Sequence, residues 1–138
     1  MRLLPIILIL LLSACRSNDG GYRGPAKYDM AVRDAINVAI SELQPVTDRQ
    51  LVWKWDKWSW RVTLKPADGR TRRGSPYFLR GSEHWCGYYQ NGEITIPDGA
   101  AWETVVHEAG HLVLHKNGYL VQNHHKQFAA FFNKWSCP

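Results

Sequence analysis

Val105-Val106-His107-Glu108-Ala109-Gly110-His111-Leu112-Val113-Leu114 is the stretch on which the reading of this 138-residue chain turns. On an α-helix, residues four apart share a face, so His107 and His111 stand one turn apart and can present nitrogen to one Zn²⁺. Glu108 sits beside the first His, at the edge of that site. From there it can accept a proton from an attacking water and pass it to a leaving amine. The flanking Val and Leu residues are those expected of a helix buried against a core. The competing reading is an amphipathic helix whose His residues only cap or form hydrogen bonds.

A catalytic zinc usually has three protein ligands and an open position. From Ala109 to Pro138 there is no Asp or Glu, so a following carboxylate ligand is excluded and the downstream candidates are His115, His124, His125 and Cys137. His115 lies one further turn along the axis, about 6 Å beyond His111, too far to converge with His107. It is placed instead at the helix C-terminus, where a partly protonated imidazole suits the dipole. Asn117-Gly118 is the stop signal for that helix. A further helix is expected over about Asn123–Trp135, with Phe128, Phe131, Phe132 and Trp135 at helical spacing. His124 shares the face of Phe128 and is preferred as third ligand. His125 is the alternative, as ligand, supporting residue or transition-state donor.

His-Glu-x-x-His followed thirteen residues later by His124-His125-Lys126-Gln127-Phe128 resembles the SprT-like zinc metallopeptidases, whose third ligand is a His four residues before an aromatic. Asn91-Gly92-Glu93-Ile94-Thr95-Ile96 is similar to the edge strand that precedes the active-site helix in these and other small zincins. The resemblance spans roughly residues 84 to 135. It implies a zincin-like fold, Zn as cofactor, His107, His111 and His124 as ligands, and Glu108 as base. The chain departs from the family pattern at His125, where members commonly have Gly.

Upstream, Arg2 is followed by a ten-residue apolar run, Leu3–Leu12, too short for a permanent membrane span. Leu12-Ser13-Ala14-Cys15 looks like a bacterial lipobox. Residues 1–14 are therefore expected to be a signal peptide, and Cys15 the lipidated N-terminus of the exported protein. Several acyl chains together would give stable anchoring, in the outer membrane facing the periplasm or on the outer face of the plasma membrane. An ordinary secretory signal is the alternative. With Cys15 lipidated, Cys86 and Cys137 remain, an even pair in an oxidising compartment, and a disulfide between them is expected. Such a loop closure contributes about 4 kcal/mol in the chain-entropy account.

Residues 15–27 read as the lipidated Cys and a flexible Gly-rich tether, leaving 28–138 as one domain. Met30, Val32, Ile36, Ala39, Ile40 and Leu43 predict a first helix that Pro45 ends. Leu51, Trp53 and Trp55 alternate, as do Trp58, Trp60, Val62 and Leu64 in opposite phase, predicting two strands about a turn or one bulged strand. Asn91-Gly92 predicts a hairpin between Cys86–Gln90 and Glu93–Ile96. Asp98 is a candidate N-cap of the helix that carries the motif. The expected class is α+β: a twisted antiparallel sheet packed against the N-terminal, motif-bearing and C-terminal helices.

The expected function is a membrane-anchored, extracytoplasmic zinc metallopeptidase, with water attacking the peptide bond under Glu108. Glu93, Ile94, Thr95 and Ile96 are the candidate edge strand for an extended substrate. Tyr88, Tyr119 and His125 are candidate oxyanion donors. The substrate class is protein or peptide, with peptidoglycan peptides as an alternative. The rival from another class is a non-catalytic envelope lipoprotein that uses the fold as a binding module. The seven Trp favour cross-strand packing over sugar stacking. Removing Arg2 takes the formal charge from +5 to +4, yet export argues against a nucleic-acid partner.

Overall fold

The computed structural model describes residues 21–138; the expected signal peptide (1–14) and the expected lipidation site Cys15 lie outside the described residues. Among the described residues four α-helices and two small sheets form an α+β body: α1 (Asp29–Leu43), α2 (Trp102–Lys116), α3 (His124–Gln127) and α4 (Ala129–Lys134). The strands are β1 (Tyr22–Arg23), β2 (Trp60–Lys65), β3 (Gly69–Arg70), β4 (Pro76–Arg80), β5 (Glu83–Trp85), β6 (Tyr88–Gln90) and β7 (Glu93–Pro97). The first sheet has the order β1-β2-β7-β6 and the second β3-β4-β5. No helix among the described residues is long and apolar enough to cross a membrane.

α2 runs through the middle of the core. Every residue from Thr104 to Leu114 except His107 is buried, so nearly its whole circumference meets protein. The largest packing between elements is α1 on α2. Val32, Ala35, Ile36, Ala39 and Leu43 of α1 are buried, and the small Ala side chains let the two helices approach closely. Val62, Ile94 and Ile96 join the same cluster from the first sheet. At the end of α2, Tyr119 N–H returns to the Leu114 carbonyl at 3.0 Å, with Gly118 in the left-handed region at φ +88°.

The first helix, the 91–92 hairpin, the motif-bearing helix and its stop stand where the spacing predicts them. Asn91 (φ 46°) and Gly92 (φ 81°) both take the positive φ that a two-residue hairpin turn requires. The first sheet, however, is mixed rather than antiparallel: β1 pairs parallel to β2, and β2 parallel to β7. Alternation marks the two faces of a strand but carries no information on its neighbour's direction. β7 is therefore an inner strand, and Glu93, Ile94, Thr95 and Ile96 are not an edge. Ile94 through Pro97 are buried in succession, the pattern of a strand covered on both faces. Among the described residues the sheet's edges are β1 and β6, and β6 pairs only with β7.

Three further expectations are corrected. Leu51–Trp55 forms no strand. Its alternation reflects an aromatic cluster in which Trp53 meets Trp55, Trp58 and Trp60 edge to face at 5.4–5.8 Å. The backbone there is satisfied by side chains, with Asn117 bonding both N–H and C=O of Val52 and Gln44 Oε1 accepting from Leu51 N–H. Asp98 does not cap α2, whose N-cap is Ala101; its carboxylate instead pairs with Lys27 at 2.6 Å. The ordered body also starts before residue 28, because Tyr22–Arg23 adds a strand beside Trp60–Arg61 that Gly-rich composition conceals.

Candidate metal centre and cleft

Periodicity places His107 and His111 on one face of α2, and the third histidine comes from the start of α3. His125 Nε2 lies 2.9 Å from His111 Nε2 and 3.2 Å from His107 Nε2. The ligand atoms of His107, His111 and His125 all lie within 4.8 Å of one another, so the group can hold a metal ion. This corrects the expectation that His124 is the third ligand. His124 is fully buried on the core side of α3, the side of Phe128, and there it faces the rear nitrogen of His111. Sharing a face with a core aromatic took His124 away from the cleft, and its neighbour, about 100° round the helix, reaches in.

Aromatic packing fixes these rings. Phe132 stacks under His111 at 4.3 Å and under His125 at 4.9 Å, and meets the His107 ring edge-on, also at 4.9 Å. Phe131 and Phe132 press on α2 at Gly110, where an added Cβ would lie 2.3 Å from Phe131 Cε1. The glycine inside the motif is thus a contact surface for α4.

The histidines are held as neutral donors. Burial lowers the His107 pKa to about 4, with the facing His125 adding to the effect and backbone hydrogen bonds at Trp135 and Phe132 opposing it. His111 is lowered to about 2 by burial and then by His107, His125 and His124. Three ring nitrogens that resist protonation and face one point satisfy each other poorly as hydrogen-bond partners. As a donor set they fit a divalent metal, which needs neutral imidazoles.

Glu108 is 4% exposed, and burial raises its pKa to about 8. Among the described residues its Oε1 has no hydrogen-bond partner, nor does Thr104 Oγ1 one turn earlier. Both residues line a cleft of about 550 Å³ that also includes His107, His111 and His125. Thr104 was missed by sequence reasoning; its i−4 spacing from Glu108 is the signal that marks it. An unpaired buried oxygen facing an open cleft is poised to receive a polar group from outside the protein.

The other candidates divide. Cys86 and Cys137 form the expected disulfide, and both line the cleft, so the bond ties the end of the chain to the segment entering β6. Tyr88 lines the cleft, and its hydroxyl accepts from Lys65 Nζ at 3.0 Å, which lowers its pKa. Tyr119 does not line it: its hydroxyl donates to Asp48, away from the histidines. His115 stays outside the trio, with its Nδ1 2.6 Å from the Tyr89 hydroxyl, a hydrogen-bonded pair. Tyr89, which sequence reasoning passed over, lines the cleft beside His111.

Comparison with protein-family models, curated proteins and solved structures finds no match to this chain.

Proposed function

We propose that this chain is an extracytoplasmic zinc-dependent peptidase of SprT-like type, anchored to the bacterial envelope through a lipidated Cys15. The observation that carries the reading is the convergence of three histidine Nε2 atoms beside Glu108, whose unpaired Oε1 is buried in the same cleft. His107, His111 and His125 would hold the ion. Bound there, zinc would polarise the scissile carbonyl and make water acidic enough to attack near neutral pH.

The protein's own groups supply the remaining steps. Glu108 takes the proton from the attacking water and delivers it to the leaving amine nitrogen; its raised pKa suits a group that must both accept and return a proton near neutrality. The free edge of β6 offers backbone N–H and C=O groups to an extended peptide, recognising main chain before side chain. Gly87, Tyr88 and Tyr89 bring that edge to the cleft wall, opposite α2. The disulfide closes the wall on the side of the C-terminal segment. Protein and wall peptides share this main-chain chemistry.

The test is Glu108→Gln on zinc-loaded protein with an unfolded protein and muropeptides as substrates. The expected outcome is unchanged zinc stoichiometry with cleavage reduced by a factor of at least about 10². Cleavage at the parental rate would overturn the role of Glu108. A parent that binds zinc yet cleaves neither substrate class would favour the binding-module reading.

A further inference from the structure

His124 is fully buried and outside the trio, yet both its ring nitrogens are engaged. Nε2 lies 2.9 Å from the Tyr119 carbonyl oxygen, and Nδ1 lies 3.0 Å from His111 Nδ1. A carbonyl only accepts, so His124 Nε2 carries the proton. A neutral imidazole has one N–H, which leaves His124 Nδ1 as an acceptor. Hydrogen bonding between the two Nδ1 atoms then requires His111 Nδ1 to donate. The His111 proton is therefore on the rear nitrogen, and Nε2 keeps its lone pair toward the cleft. The two rings are inclined by only 18°, an arrangement compatible with a bond lying in both ring planes.

We propose that His124 is a positioning residue that transmits the polarity of the Tyr119 carbonyl to His111 and locks it in the tautomer able to ligate through Nε2. The proposal rests on the metal-centre reading above, but the tautomer is a property of the protein itself. The carbonyl at the head of the relay is firmly held. Tyr119 N–H donates to the Leu114 carbonyl at 3.0 Å, and the Tyr119 hydroxyl donates to Asp48. The Arg49 guanidinium lies 4.3 Å from the centre of the Tyr119 ring and donates to the Asn117 carbonyl at 3.0 Å. The connection after α1 thus clamps the turn after α2, and that turn determines which nitrogen of His111 bears hydrogen.

The experiment has two readouts on the full chain: ¹⁵N NMR of the histidine rings without metal, and zinc affinity by chelator competition. The expected parental spectrum shows His111 protonated at Nδ1 and His124 at Nε2. His124→Phe should release the His111 tautomer and weaken zinc binding by about 10–100-fold, the usual cost of losing a ligand's supporting hydrogen bond. His124→Asn, whose side-chain oxygen can stand at the place of Nδ1, should restore most of that affinity and serves if the Phe variant does not fold. A parental His111 protonated at Nε2 would overturn the proposal. Equally, folded His124→Phe with parental zinc affinity would do so, as would zinc retained in His125→Ala but abolished in both His124 variants. If the parent binds no zinc, the metal-centre reading fails, and the tautomers still decide the role of His124.

Discussion

α2 and the C-terminal pair α3–α4 bring histidines to the same cleft by opposite routes. α2 is an unbroken helix of 15 residues, and the relation of His107 to His111 follows from the helical repeat alone. α3 and α4 have four and six residues and are separated at Phe128, whose φ −123° and ψ 42° leave the helical region. Helices this short do not persist by their own hydrogen bonds. His125 is held instead by tertiary ties: Phe131 and Phe132 on Gly110, His124 on Tyr119, Lys134 and Trp135 on Glu42, and the disulfide at Cys137. Two of the three histidines are thus placed by local structure and the third by assembly. Damage to the ties should detach His125 while leaving the spacing of α2 intact.

The largest effect is expected for Phe132→Ala. Phe132 is 3% exposed and contacts all three rings of the trio, so its removal opens a cavity at the seam, with a cost of about 3–5 kcal/mol. Urea unfolding measures the cost, and zinc titration should show weakened binding in the fraction that remains folded. An affinity equal to the parent's would mean that the third ligand does not depend on this packing.

Gly110→Ala sharpens the comparison because the two regions pull in opposite directions. Within α2 alone, Ala favours the helix over Gly by about 1 kcal/mol. Against α4, the new Cβ collides with Phe131, and overpacking of this kind costs about 1–3 kcal/mol. Net destabilisation in chemical unfolding is expected, accompanied by weaker zinc binding. A more stable variant with full metal affinity would show that the α4 contact yields freely.

Glu42 gives the smallest effect. It accepts from Lys134 Nζ at 2.9 Å and Trp135 Nε1 at 3.0 Å, joining the end of α1 to the end of α4. Burial pushes the Glu42 pKa up, but the hydrogen bonds from Lys134 and Trp135 outweigh it, leaving a net lowering. A carboxyl lowered in the folded state adds stability above its ordinary pKa and loses it as pH falls through the folded value. Glu42→Gln should cost about 0.2–1 kcal/mol at neutral pH and flatten the decline in melting temperature on acidification. Parental acid sensitivity in the variant would remove Glu42 from the ties that hold α4.

The elements that were legible in the sequence are those whose cause is local. The apolar repeat of α1, the Asn91-Gly92 turn, the two α2 histidines and the stop at Asn117-Gly118 all follow from contacts within a few residues. The cysteine pair was legible for a different reason: with Cys15 read as a lipidation site, Cys86 and Cys137 were the two cysteines left to pair. The Trp-rich stretch misled because rings packing on one another produce the same alternation as a pleated strand. The parallel pairing of β2 with β7 joins residues about thirty positions apart, and nothing near either strand encodes direction.

Sequence by itself determined the chemistry available here: a helix with two imidazoles and a carboxylate in register, and more histidine downstream. Tertiary structure decided which histidine completes the set. His124 and His125 are neighbours with the same side chain, and only the docking of α3 separates them, one buried against His111 Nδ1 and the other turned to the cleft. Strand pairing, likewise a matter of tertiary structure, made β6 rather than β7 the open edge beside that cleft. Helical periodicity constrains a residue relative to its own helix, whereas the orientation of one helix toward another depends on side chains far apart in the chain.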